Sequence, residues 1–218
     1  MHSVANVRRA GGGKRLVTSV AATLLLIRHA AHIHLDRKLS GRMAGVPLSD
    51  EGHAQAATLA RKLAAEHVQH ILCSPLDRTL ATARAIAASC SLPEPEIAEA
   101  LTEIDMGDWT GRAFGTFGGD PAWRAWNEER ATFRIPGGET MAEAQGRIVG
   151  FMREAITRYD GQTVAMVTHS DMIKAAVCHV LGMDLGKMSR FEIGPASVTR
   201  VVIGDWGGKI LRLNEGVH

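Results

Sequence analysis

Two apolar runs that each stop on a histidine constrain this chain more than any other feature. Leu24-Leu25-Leu26-Ile27 ends on Arg28-His29, and Val164-Ala165-Met166-Val167-Thr168 ends on His169-Ser170. A short apolar run without polar alternation is what a strand needs when both of its faces are covered, as in a parallel sheet flanked by helices. Ligands of such sheets bind beyond the carboxyl ends of the strands. Between the two runs lies Cys73-Ser74-Pro75-Leu76-Asp77-Arg78, which places an arginine on a strand-to-helix turn. Two strand ends carrying histidine, with Arg28 and Arg78 beside them, build a compact cationic pocket. Such a pocket suits a phosphoryl group, and a histidine in its floor can attack phosphorus.

The remaining pattern alternates strand and helix. A helix is predicted from Ser49 as N-cap, amphipathic over 54–66, then a short strand at 70–73. Ser74-Pro75 is expected to open the next helix, with proline in its first turn, running to about Ser89. A brief strand at 97–98 precedes a glycine-marked irregular region, a short helix over 122–129 and a long one over 139–159. A strand over 162–168, a helix over 171–181 and two late strands at 197–203 and 209–213 complete the order. This alternation predicts a three-layer α/β/α sandwich with a mainly parallel central sheet. The length of 218 residues allows one sizeable core. Residues 23–218 are expected to form the catalytic domain.

The net charge of +2 gives no reason to expect nucleic acid as a partner. The charge is uneven, however. Residues 1–22 hold Arg8, Arg9, Lys14 and Arg15 with no acid, around Gly11-Gly12-Gly13, and read as a basic flexible extension. The apolar stretch after it contains Thr18, Ser19 and Thr23 and ends on Arg28-His29 instead of a cleavage site, so it is not read as a signal peptide. No segment is long and apolar enough to predict a membrane span. The cysteines Cys73, Cys90 and Cys178 show neither a disulfide framework nor zinc-ligand spacing, and a reducing, cytoplasmic setting is expected. Neither a metal nor another cofactor is expected. A second copy of the chain, as a homodimer, is the macromolecular partner left open.

The chain resembles the histidine phosphatase superfamily, also called phosphoglycerate mutase-like. Arg28-His29-Ala30 matches the opening R-H-G, and residues 41–56 match G-R-x-x-G-x-P-L-S-x-x-G-x-x-Q-A. Residues 74–83 match S-P-L-x-R-T-x-x-T-A, residues 101–111 match L-x-E-x-x-x-G-x-W-x-G, and residues 137–140 match G-G-E-[ST]. Each motif is weak alone; five in the family's order are a specific signal. The resemblance implies a phosphomonoesterase acting through a phosphohistidine on a small phosphorylated metabolite. By it, His29 is the nucleophile, Arg28 and Arg78 clamp the phosphoryl group, His169 stabilises transition-state charge, and Glu103 is the general acid. Asp105 and Asp108 compete for that last role.

Two rivals stay open: a phosphoglycerate mutase, which returns the phosphoryl group to product, and a binding module without turnover. The stretch 104–109 resembles the phosphatase branch. Relatives also carry a phosphate-touching asparagine a few residues past the nucleophile, and residues 31–39 contain none. His32, His34 and Lys38 are the candidates to replace it. Ser170-Asp171 stands where the family usually has glycine after the second histidine, which narrows the pocket or orients His169. Trp109, Trp123, Trp126 and Phe133 form either plain core or a lid over the site.

Overall fold

A computed structural model describes residues 20–217. The expected extension over 1–22 lies outside the described residues except for its last three. Strand β1 (Ala21–Arg28) is followed by α1 (Asp50–Ala64), β2 (His70–Cys73), α2 (Asp77–Cys90) and β3 (Glu96–Ile97). A loop region with three short 3₁₀ turns leads to α3 (Pro121–Glu128) and α4 (Met141–Arg158). Then come β4 (Thr163–Thr168), α5 (Ser170–Val180), β5 (Val198–Gly204) and β6 (Gly207–Glu215). The strands form one six-stranded sheet in the order β3-β2-β4-β1-β5-β6. The β3–β2, β2–β4 and β4–β1 pairings are parallel, whereas β5 and β6 join antiparallel at one side.

The apolar runs are central strands buried on both faces. Leu24, Leu25, Leu26 and Ile27 have no exposed surface. Leu24 and Leu26 pack with Val164, Met166, Ile148, Met152 and Ile173 in one apolar cluster. Leu25 and Ile27 face the other way, with Ala165, Val167, Leu59, Leu63 and Ile86. This period-two division places α1 and α2 on one side of the sheet and α4 and α5 on the other, giving the expected three layers.

Most element boundaries fall within two residues of expectation. The informative difference is at α2, which begins at Asp77, two residues beyond Pro75. Ser74 and Leu76 are tied instead into a turn by the Thr79 hydroxyl, whose one proton is shared between their carbonyl oxygens at 2.9 and 2.6 Å. That turn frees the Ser74 hydroxyl for the site.

Ser49 caps α1, accepting from the Gly52 amide at 3.1 Å. The Ser49 amide in turn donates to the Ala31 carbonyl at 3.0 Å, so the helix start is pressed against the chain just after β1. A Cβ on Gly52 would lie 1.8 Å from that carbonyl oxygen. In an ordinary helix Gly→Ala stabilises by about 1 kcal/mol. Here Gly52→Ala is expected to destabilise by about 1–3 kcal/mol, the usual cost of overpacking. At roughly 2–4 °C per kcal/mol for a chain of this size, calorimetry should read a lowered Tm. An unchanged or raised Tm would contradict the close approach.

Candidate active site

The parallel register pairs Arg28 with Thr168 and Cys73 with Val167. The next residues, His29, His169 and Ser74, therefore emerge side by side from three adjacent strand ends. The strand ends are fixed: the His29 amide donates to Thr168 at 3.0 Å, and the His29 carbonyl accepts from Ala196 at 3.2 Å. The two imidazole rings sit edge to face with centroids 5.2 Å apart. Both are buried, His29 with 3% and His169 with 0% of its surface exposed.

His29 Nδ1 lies 2.8 Å from the Ala30 carbonyl, which can only accept, so Nδ1 carries the ring proton. Nε2 is left with its lone pair, facing Arg78 Nε, which donates to it at 3.3 Å. Burial first, and then the charges of Arg78 and Arg28, hold the His29 pKa well below its ordinary value of 6.5. The ring is thus a neutral nucleophile in a fixed tautomer. His169 is held neutral in the same way, by burial and then by Arg78. Its Nδ1 faces Arg78 Nη2 at 3.3 Å and its Nε2 faces the Ser74 hydroxyl at 2.9 Å. Arg78 can only donate, so in this arrangement the His169 proton sits on Nε2.

Arg78, 2% exposed, occupies the second position of α2, where helix polarity also favours an anion. Its Nη2 donates to the Gly41 carbonyl at 2.7 Å. Arg28 donates to the Ile193 carbonyl at 2.6 Å. Arg78 Nη1 and Arg28 Nε are buried and unpartnered among the described residues. Leaving donors of charged groups unpaired is costly, and a bound oxyanion supplies what they lack.

Glu103 lines the same cleft; Asp105 and Asp108 do not. The Asp105 carboxylate accepts from the Gly107 amide at 2.9 Å and meets Arg42 at 3.5 Å. Glu103 Oε1 accepts from the Ile104 amide at 3.0 Å, and Oε2 lies 3.8 Å from His169 Nδ1. Because His169 is neutral, that contact is not an ion pair. Burial first, and then the negative charge of Asp171, push the Glu103 pKa up to about 7, against the pull of Arg78, the Ile104 amide and Arg28. A carboxyl with that pKa can deliver a proton at neutral pH.

The loop carrying Glu103 is clamped by residues whose role was not assigned from sequence. Glu139 Oε2 accepts from Arg42 at 2.8 Å, Arg147 at 3.0 Å and the Asp105 amide at 3.0 Å. Arg42 Nε also donates to the Glu103 carbonyl at 2.8 Å, and Arg147 to the Thr102 carbonyl at 2.7 Å. This explains the G-G-E-[ST] stretch. Gly138 passes so close to the loop that a Cβ would meet the Asp105 carbonyl oxygen at 2.3 Å, and Thr140 starts α4 with a capping box to Glu143. Arg147 stands alone in α4 with no motif to mark it.

Asp36, Lys38, His32, Ser170 and Asp171 complete the cleft with Phe114 and Leu35. Trp109, Trp126 and Phe117 are buried in the core, and Trp123 and Phe133 pack half-buried against them. Trp109 and Trp126 are core residues, none of Trp109, Trp123, Trp126 and Phe133 lines the cleft, and the aromatic residue at its rim is Phe114, 39% exposed. Arg130 stacks on Trp126 at 3.3 Å and reaches Asp171 at 3.7 Å, linking this cluster to the cleft. Among the described residues no helix is long and apolar enough to cross a membrane.

The strand ends, the paired histidines and the unpaired arginine donors form one buried cationic pocket, and residues 24–216 match the family model of the histidine phosphatase superfamily, branch 1. The chain belongs to this family and is an enzyme with phosphatase activity. Phosphoserine phosphatase 1 of Hydrogenobacter thermophilus is 35% identical over 89% of this chain and 93% of its own length. A Cronobacter sakazakii protein named "Probable phosphoglycerate mutase GpmB" is 28% identical over 81% of this chain and 82% of its own. The structure of the alpha-ribazole phosphatase from Shigella flexneri superposes with a TM-score of 0.77 at 26% identity, covering 88% of this chain and 96% of that one.

Proposed function

We propose that this protein hydrolyses small phosphomonoesters through a phosphohistidine on His29, without a metal ion. The observation that carries the reading is the unprotonated Nε2 of a neutral, tautomer-fixed His29, facing Arg78 Nε beside buried, unpaired N–H groups of Arg28 and Arg78. In the first step His29 Nε2 forms a bond to phosphorus as the ester P–O bond breaks, and Glu103 gives its proton to the departing oxygen. In the second, the Glu103 carboxylate takes a proton from water, which attacks phosphorus and releases His29 and inorganic phosphate. Arg28 and Arg78 neutralise the equatorial oxygens. For His169 to donate to them, its proton must move to Nδ1, with the Ser74 hydroxyl turning to donate to Nε2. A dianion that draws Arg78 Nη2 away from Nδ1 favours that tautomer.

A small phosphorylated metabolite is the substrate class supported by the relatives, which are named for phosphoserine and alpha-ribazole phosphate hydrolysis. The positive charge of the cleft comes from fixed guanidinium groups, which do for a phosphoryl group what a divalent cation does elsewhere. Hydrolysis of p-nitrophenyl phosphate is expected to be the same with and without EDTA. Loss with chelator and return with zinc or magnesium would overturn the metal-free reading. Cys73, Cys90 and Cys178 are free, which is compatible with the proposed cytoplasmic location. The mutase relative keeps phosphoryl return to product as a second reading; interconversion of 2- and 3-phosphoglycerate faster than phosphate release would establish it.

Arg78→Lys tests the clamp. Lysine keeps the charge but cannot serve His29, Gly41 and a phosphoryl oxygen from one plane. The expected loss in kcat/KM is about 10²–10³-fold, as for removal of an oxyanion donor. Kinetics within threefold of wild type would count against Arg78 as a phosphoryl ligand.

A further inference from the structure

We propose that His32 is a third histidine of the phosphoryl site, donating from Nε2 to a phosphoryl oxygen. The inference rests on the phosphoryl-pocket reading above and deepens it.

The carrying observation is a donor of fixed tautomer that no described residue takes up and that lines the open cleft. The His34 backbone amide donates to His32 Nδ1 at 3.2 Å. A backbone N–H can only donate, so Nδ1 is unprotonated and the ring proton of neutral His32 sits on Nε2. That Nε2 has no hydrogen-bond partner among the described residues, and the ring lines the catalytic cleft. Its centroid is 5.3 Å from that of His29, almost the 5.2 Å spacing between His29 and His169, so two imidazoles stand close to the nucleophile.

The backbone around His32 is as well fixed as a strand end. His32 forms an antiparallel bridge with Leu48, the Ile33 amide donates to Pro47 at 3.3 Å, and the Leu35 amide donates to the His32 carbonyl at 3.0 Å. The residue itself is 8% exposed. Burial first, and then Arg78 and Arg28, lower the His32 pKa to about 4, so at neutral pH it acts as a hydrogen-bond donor and not as a cation. A neutral donor fits beside two arginines at a lower electrostatic cost than a further positive charge.

The same geometry separates His32 from the other candidates. His34 does not line the cleft, and its contribution is the backbone amide that sets the His32 tautomer. Lys38 lines the cleft farther along the loop, where it bridges to Ala113 in the rim segment bearing Phe114. That position suits the part of the substrate beyond phosphorus.

The test compares His32→Phe, which keeps a planar ring without a donor, with His32→Asn, which restores an amide donor. The readouts are kcat/KM for p-nitrophenyl phosphate and the inhibition constant of vanadate, a phosphoryl mimic. His32→Phe should lose roughly 10–100-fold in both, the usual worth of a hydrogen bond to a charged group. His32→Asn should recover most of that loss, which a purely structural role would not produce. If vanadate binds the wild type and both variants alike, or if Asn is no better than Phe, the inference fails while the phosphoryl-pocket reading stands. If vanadate fails to bind the wild type, that reading itself fails. Should His32→Phe not fold, the wild-type protein decides through its ¹⁵N–¹H histidine spectrum. The His32 Nε2–H signal should shift on adding vanadate, and an unmoved signal overturns the proposal.

Discussion

His29→Ala is expected to lower kcat by at least about 10⁴-fold, on the scale seen when a covalent nucleophile is removed. The neighbouring groups cannot replace it. His169 presents Nδ1 to Arg78 and Nε2 to Ser74, and Nε2 of His32 carries a proton. The fold should survive, because the ring makes side-chain hydrogen bonds only to the adjacent Ala30 carbonyl and to Arg78. The strand end is held instead by the His29 amide and carbonyl, which the substitution keeps. Phosphate release assays paired with a thermal melt check this. A stable variant within tenfold of wild type would remove His29 as nucleophile.

Glu103→Gln is expected to produce the second large effect, and one that depends on the substrate. A sugar or serine alkoxide leaves poorly without a proton, whereas p-nitrophenolate leaves without much help. First-turnover phosphorylation by alkyl phosphates should therefore slow by about 10²–10⁴-fold, and by p-nitrophenyl phosphate much less. The pH dependence follows the same group. Glu103 titrates at about 7, because burial and Asp171 disfavour its charged form. The protonated acid is present below that value, so alkyl phosphate turnover in the burst should fall as pH rises through about 7. In Glu103→Gln that alkaline limb should vanish. Equal losses for alkyl and aryl phosphates, or an alkaline limb that persists, would assign the proton to another group. Asp171, which lines the cleft and is the carboxylate that acts on Glu103, would then be the first to examine.

The sequence made the site legible where local pattern and chemistry coincide. Short apolar runs without alternation, rich in branched residues and set between helical patterns, fit central strands, and a residue that follows such a strand lands at the sheet's carboxyl edge. That reasoning placed Arg28, His29 and His169, and Arg78 followed from the turn after β2. Contacts across the fold were not legible. Nothing near Ser74 in sequence says that its hydroxyl meets His169, since |i−j| is 95. Arg147 lies mid-helix in α4 and reads as an ordinary surface arginine until the Glu103 loop is packed against it. The Pro75 misreading has a local cause. Proline favours a first helical turn in general, but here Thr79 binds the Ser74 and Leu76 carbonyls and delays α2. The tryptophans were ambiguous because aromatic residues fill cores and rims alike; only packing showed that Trp109 is inside and Phe114 outside.

The central claim is that phosphorus becomes bonded to His29 Nε2 during turnover. Mixing enzyme with excess substrate, quenching within milliseconds in alkali and mapping the peptides by mass spectrometry tests it most directly. The account predicts a single acid-labile, alkali-stable phosphoryl group on the peptide containing His29, formed at the rate of the burst and absent from His29→Ala. A phosphoryl group trapped on His169, His32 or any other residue, or none trapped while a full burst of the alcohol product is seen, would contradict it.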